Sequence, residues 1–339
     1  MSILLKAHNI THDRGEEKER QYGPFDESMA KAARVASELC NKQITPEDFY
    51  KCMVALKISR MAYNMKEDTM LDAVAYISAL DEYNKSTAMN KFEDNYKSLL
   101  QSVVYGGEQL PTRNGNTMAQ INMSLRANRY DPPIITGKKV FYDKAVAEWV
   151  WMLEGRTDIE FLHEHNIKWW DSYAEDGHIE KSYGYQLRCD PDQIEYVMEE
   201  LRKPYTSRRA RISLWQPRDL DDQKIPCCYT EFDFIKRGGA LQMVMTFRSS
   251  DLFLGFPYDA LVGYLLLKYI ADQLGLEVYN IIYHFINAHV YNEHKEAVLE
   301  YVEGEHYNSK LIINDAAAVD GVEINMDGQG PFIKAKLIL

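Results

Sequence analysis

The sequence predicts an α+β protein: a small all-α region over residues 1–91, then a mixed region of strands and helices over residues 92–339. Up to about Asn90, apolar residues recur at helical spacing and β signals are few. From Phe92 onward, β-like segments with a hairpin signal stand beside helical ones. They lack the regular alternation that a parallel βαβ sheet requires.

In order along the chain, "DESMAKAARVASEL" spaces its apolar residues three and four apart. "TPEDFYKCMVALKISRMAY" opens with Thr45 as N-cap, Pro46 at the first helical position and acids in the first turn. "EDTMLDAVAYISALDEY" is a third amphipathic helix. In the mixed region, helical "AVAEWVWMLEG" precedes the strand-like "RARISLW", "CYTEFDFI" and "ALQMVMTF", and "KRGG" joins the last two as a hairpin. A long helix is expected from about Asp259 to Leu274, ended by Gly275. There is no internal repeat, P-loop or GxGxxG.

Composition narrows the function. Hydrophobic residues at 46% and charged residues at 27% suit a soluble globular chain. The longest apolar stretch, "ALVGYLLLKYIA", is too short to span a bilayer and is broken by Lys268. The N-terminus turns charged too early for a signal peptide. Five cysteines (Cys40, Cys52, Cys189, Cys227, Cys228) lack zinc-like spacing, and an odd count without an export signal argues for reduced thiols in the cytoplasm. A net charge of −12 disfavours nucleic-acid binding but leaves room for a small anion held by local arginines.

Cys227 and Cys228 alone would be core residues. Their neighbours change that: "SRRARISLW" upstream and "FRSSD" downstream supply Arg208, Arg209 and Arg248, whose forks suit a phosphomonoester. Asp259 follows in "FRSSDLFLGFPYDA", where a carboxylate either caps a helix or reads a ligand.

From about Phe92 to Leu339 the chain resembles thymidylate synthase and its relatives, the pyrimidine-nucleotide hydroxymethylases. The motifs are "PTRNGNT", "AEWVWMLEGRTDIEFLHEHNIKWWDSYA", "SYGYQLR", "SRRARISLW", "IPCCYTEFDF", "FRSSDLFLGFPYD", "NAHVYNEH" and "GPFIKAKLIL", in family order. The resemblance implies a mixed sheet with helices. It implies that Cys228 attacks C6 of the pyrimidine, that Glu148 orders water and moves protons, and that Tyr183 helps remove the C5 proton. Arg113, Arg208, Arg209, Arg248 and Ser249 would hold the phosphate, with Arg208 and Arg209 supplied by the other subunit of a homodimer. His289 and Tyr291 would hold the sugar hydroxyl. Trp169, Trp170, Asp251, Leu254, Gly255, Tyr258 and the tail ending at Leu339 would embrace the co-substrate, 5,10-methylenetetrahydrofolate.

The chemistry suits these residue types. C5 of a pyrimidine becomes nucleophilic only after addition at C6, which a thiolate performs and later reverses. Arginines and bound phosphate near the thiol set the field around it. Addition pushes charge toward N3 and the C4 substituent, where a donor stabilises the transition state.

Asp259 stands where uracil-specific relatives carry asparagine. An amide complements the N3–H and O4 of uracil, whereas a carboxyl group complements the N3 lone pair and N4 amino group of cytosine. An ionised carboxylate would face uracil O4. Tyr229 replaces the family's histidine after the nucleophile, and Asp233 replaces a glutamine, with no effect assigned. The resemblance therefore implies a deoxycytidylate (dCMP) 5-hydroxymethyltransferase. Alternatives are C5 methylation of dCMP or CMP, thymidylate synthesis from dUMP, and an inactive nucleotide-binding homologue.

The N-terminal "ITPEDFYKCMVALKISRMAYNMKEDTMLDAVAYISAL", after "QYG", resembles a helical domain common in phage proteins and distantly like the MazG-type pyrophosphohydrolases. Asp68 and Asp72 share one helical face as candidate Mg²⁺ ligands, with Glu38, Glu47 and Asp48 as candidate partners. A solvated acidic face or an assembly module is the favoured reading.

Overall fold

The computed structural model describes residues 25–40, 44, 46–63, 66–88 and 91–336. The chain divides into two compact units between Ala88 and Met89.

The first unit holds helices α1 (Phe25–Cys40), α2 (Pro46–Met61) and α3 (Glu67–Ala88). Pro46 opens α2 with Glu47 and Asp48 in its first turn, where the helix dipole favours acids; Thr45 lies outside the described residues. The helices bury Ala33, Ala73, Ala75 and Ala79 around Tyr50, small side chains that permit close packing. Ser37 Oγ ties the α1–α2 connection by accepting from the Ile44 amide at 2.8 Å. The metal expectation needs correction here. Asp72 is ion-paired to Lys57 at 2.6 Å, Glu47 pairs with Lys51, and Asp68 and Glu38 are exposed. No cluster of three potential ligands forms among the described residues.

The second unit is a mixed sheet packed against helices. Helix α4 (Lys91–Gly106) buries Phe92, Tyr96, Leu99, Leu100, Val103 and Val104 along one face. A hairpin follows, β1 (Glu108–Thr112) and β2 (Gly115–Asn128), turning on Arg113–Asn114. Gly115 has φ +138°, which a side chain would resist. Helices α5 (Tyr142–Leu153), α6 (Glu160–Glu164), α7 (Tyr183–Arg188) and α8 (Gln193–Arg202) lead to the short strand β3 (Arg211–Ser213). Strands β4 (Tyr229–Arg237) and β5 (Ala240–Phe247) form the expected hairpin through Gly238, at φ +58°. After β6 (Ser250–Asp251), helix α9 (Phe256–Gln273) runs into β7 (Glu277–Tyr291), and α10 (Lys295–Glu303) precedes the β8–β9 pair (Ser309–Ile313, Val322–Met326).

The sheet order is β1-β2-β7-β5-β4-β3, with β6 alongside β7. β5 and β6 run parallel to β7 and the other pairs are antiparallel. α9 is apolar almost all round, as a fully buried helix should be. A Cβ at Gly263 would stand 2.5 Å from Met245 Sδ, so the glycine lets α9 approach β5. α9 begins three residues before the expected Asp259 because Pro257, at its start, suits the first turn. It ends at Gly275, φ +62°, as expected. No described helix is long and apolar enough to cross a membrane.

Register brings several chain ends to one edge of the sheet. The start of β4 lies beside the end of β5 (Tyr229 opposite Phe247), and β5 ends beside Phe285 of β7. Asp251 lies opposite His289, and Thr117 opposite Tyr291.

Candidate active site

Cys228 sits just before β4, with a half-buried side chain. Its amide donates to the Tyr183 hydroxyl at 2.7 Å, and its carbonyl accepts from the Arg248 amide at 3.0 Å. Burial pushes the thiol above its ordinary pKa and Asp259 pushes the same way, while Arg248 and a hydrogen bond from Tyr183 pull it down. Burial thus favours the thiol form of Cys228 in the free protein. Cys227 is buried, and burial pushes its thiol up to about 12, as a core residue.

Arg248 is held rather than free. Its Nε donates to the Cys227 carbonyl and one Nη to the Pro226 carbonyl, each at 2.8 Å, with the guanidinium over Trp215 at 5.4 Å. Ser249 Oγ lies 3.2 Å from His289 Nδ1. Burial lowers the His289 pKa, so the ring is neutral at pH 7. Tyr291 packs edge-on to His289 at 5.3 Å and hydrogen-bonds Asn114, next to Arg113 at the hairpin tip. Arg113 is exposed, and its Nε donates to Asn114 Oδ1 at 3.1 Å.

Arg208 and Arg209 are not brought to this cluster. They are exposed, and the adjoining Ala210 carbonyl accepts from Phe234 in the second half of β4. Six residues of strand separate Phe234 from Cys228, about 20 Å at the usual rise. Within one chain those arginines cannot reach a phosphate bound beside Cys228.

Glu148 lies on α5, buried at 7% exposure. It is not unpaired: Oε1 accepts from Trp170 Nε1 at 2.6 Å and, more weakly, from Trp169 Nε1 at 3.5 Å. Burial raises its carboxyl to about 7 although both indoles favour the charged form. Trp170 is itself buried, between Trp151 and Tyr183, so its visible partner is Glu148. Trp169 and Tyr258, both half-buried, pack with ring centroids 5.6 Å apart.

Asp259 does not cap its helix. Gly255 occupies the cap, no side-chain cap bond forms, and Asp259 lies in the first turn. Its carboxyl is half-buried and makes no side-chain hydrogen bond among the described residues. Burial drives its pKa well above the ordinary carboxylate value, and Glu148 and Asp251 add to the rise. A neutral acid presents one donor and one acceptor.

Three expected residues shape the loop before α9. Asp251 Oδ1 accepts from the amides of Phe253 and Leu254 (2.9 and 3.2 Å), and the Gly255 carbonyl accepts from Tyr258 and Asp259. Leu254 is half-buried beside them, and Leu339 lies outside the described residues. The preceding tail is docked, with the Gly330 amide on the Thr136 carbonyl and His294 Nε2 on the Lys336 carbonyl.

Some contributors were not among the expected residues. Lys138 is buried, donates to the Phe253 carbonyl and is lowered to about 7 by burial. A buried cation in "GKKVF" gives no periodic signal, so only packing finds it. Tyr173, one turn past Trp170, lies where its phenol feels both Cys228 and Arg113. Asp233 forms a bidentate pair with Arg211 across β3–β4 (2.6 and 3.0 Å), away from the thiol.

The strand ends thus bring together a thiol, a clamped arginine and two carboxyl groups of raised pKa. Residues 94–327 match the family model for thymidylate synthase. A thymidylate synthase of Corynebacterium aurimucosum is 33% identical over 219 residues, covering 61% of this chain and 81% of that protein. The chain belongs to the thymidylate synthase family, whose chemistry is one-carbon transfer from methylenetetrahydrofolate to a pyrimidine nucleotide. Residues 2–84 match a domain of unknown function, which assigns the helical unit no activity.

Proposed function

We propose that this chain transfers a one-carbon unit from 5,10-methylenetetrahydrofolate to C5 of dCMP, giving 5-hydroxymethyl-dCMP. The observation that carries the reading is Asp259: an acid driven toward its neutral form by burial, without a protein partner among the described residues, close enough to Cys228 to affect its titration.

In this reading the Asp259 carbonyl oxygen accepts from the N4 amino group, and its hydroxyl donates to N3. As Cys228 adds to C6, negative charge collects at N3 and the Asp259 proton is in place to neutralise it. The resulting carboxylate then accepts from both protonated N3 and the N4 amino group, whereas beside uracil the same carboxylate would face the O4 acceptor. Tyr183, bonded to the Cys228 amide, would stand next to the carbon whose proton must leave. Glu148, with its pKa near neutrality, is tuned to pass protons at the base. Trp169 and Tyr258 would hold the folate ring, and methylenetetrahydrofolate supplies the carbon at the oxidation level of formaldehyde.

Arg248, Arg113 and Ser249 would hold the phosphate, and His289 and Tyr291 the sugar. Arg208 and Arg209 would complete the phosphate site from a second copy, which their distance from Cys228 along β4 favours. The aspartate also favours water over hydride as the nucleophile that quenches the C5 exocyclic methylene, because relatives carrying it resemble dCMP hydroxymethylases. The helical unit is read as a non-catalytic module, with Asp72 engaged by Lys57.

The test is product mass from dCMP, CMP and dUMP, each with methylenetetrahydrofolate. The expected result is a hydroxymethyl product from dCMP. A methyl product, lighter by one oxygen, overturns water as the quenching nucleophile, and preference for dUMP overturns the cytosine reading.

A further inference from the structure

Tyr229 stands where the family carries histidine, and its surroundings give it a particular task. The side chain is buried at 2% exposure. Its hydroxyl meets the Met152 thioether at 3.2 Å, which spares a phenol O–H the cost of burial without a partner. Its ring stacks on Tyr183 with centroids 4.3 Å apart and planes 37° apart, tighter than most aromatic pairs. Phe232 and Phe247, each at 5.7 Å, close its other sides. Tyr183 in turn accepts from the Cys228 amide at 2.7 Å, and its hydroxyl hydrogen-bonds the thiol. Gly184 lets the same helix lie against Met152: a Cβ there would come within 3.1 Å of the Met152 backbone. Met152, Tyr229, Tyr183 and Cys228 thus form one packed series.

We propose that Tyr229 is a positioning residue: anchored on the Met152 sulfur, it stacks against Tyr183 and holds the Tyr183 hydroxyl on Cys228. The histidine of the relatives would place a polar ring here; this chain places a flat, dry surface. The proposal rests on Cys228 being the nucleophile, not on which nucleotide is used.

The test is the pH dependence of Cys228 alkylation by iodoacetamide, followed on its own peptide by mass spectrometry, with C5-tritium release from labelled dCMP beside it. Alkylation needs neither nucleotide nor folate, so its outcome is separate from the cytosine reading. Tyr229→Leu should move the alkylation midpoint to higher pH, because the Tyr183 hydrogen bond favours the thiolate. It should slow turnover about ten- to a hundredfold with KM little changed, the scale of a small misplacement of a reacting group. Tyr229→Phe, which keeps the stack and loses only the sulfur bond, should recover most of that turnover. In a Tyr183→Phe background, Tyr229→Leu should move the midpoint no further. A folded Tyr229→Leu with the wild-type midpoint overturns the proposal, as does a shift that persists without the Tyr183 hydroxyl. Should Tyr229→Leu not fold, Met152→Leu carries the test: a smaller upward shift supports the anchor, and an unchanged midpoint overturns it.

Discussion

The two ends of the candidate nucleotide site are built differently. At the base end, Cys228, Tyr183, Glu148 and Asp259 are partly or wholly buried, each has a raised pKa, and all come from one chain. At the phosphate end, Arg113 is exposed and Arg208 and Arg209 face solvent well away from the thiol; only Arg248 is held in place. Burial does the chemical tuning before any ligand arrives. A dianion cannot be prepaid in this way, because several guanidinium groups packed together without it would repel one another. In the proposed reading its site would be assembled by the ligand and a second copy.

The largest effects belong to the base end. Cys228→Ala should abolish C5-tritium release from dCMP while nucleotide binding persists; release above background breaks the covalent reading. Asp259→Asn exchanges an acid for an amide of nearly equal size. It should lower dCMP turnover by up to ~10⁴-fold, the scale of a mismatched buried hydrogen-bond pattern, and gain turnover of dUMP. If the variant keeps its cytosine preference in tritium release, Asp259 is not the reader.

Glu148→Gln should slow turnover by ~10²–10⁴-fold with nucleotide affinity near wild type. It also tests the burial argument through stability. The Glu148 pKa is 4.5 in the unfolded chain and about 7 in the folded one, so the folded state binds the extra proton between those values. That contribution is complete below pH 4.5 and is lost as pH rises through 7, about 3 kcal/mol in all. Urea unfolding should therefore show the Gln variant gaining on wild type from pH 5 to pH 8. A pH-independent difference would mean the carboxyl is already ionised.

At the phosphate end, mixing Cys228→Ala with Arg209→Ala chains should restore about a quarter of wild-type sites after random exchange between two-fold dimers. No recovery despite demonstrated exchange would return the arginines to a structural role. The smallest effect is expected at Arg211–Asp233. This half-exposed pair should contribute less than about 1 kcal/mol, so Asp233→Ala should leave tritium release unchanged and barely lower the unfolding midpoint.

Much of the fold was readable in the residues. The β4–β5 hairpin follows from alternation around "KRGG", and the end of α9 from Gly275. Helix α4 and the long strands β2 and β7 were not among the expected elements. The two strands are buried unevenly along their length, which blurs a period of two. Asp259 was legible as a departure from asparagine, but its proton was not. The bond from Trp170 to Glu148 joins a turn to α5 across 22 residues, a contact that no local spacing records.

Sequence alone therefore determined the class of fold, the order of its motifs and the kinds of side chain available: one thiol among arginines, and one acid in place of an amide. Those follow from local spacing and side-chain chemistry, which are properties of the chain itself. Only the tertiary structure decided that Asp259 and Glu148 are driven toward their neutral forms, that Asp233 serves a strand pair, and that Arg208 and Arg209 stand away from the thiol. Desolvation and distance depend on what folds over a residue, and no local pattern in the chain records that.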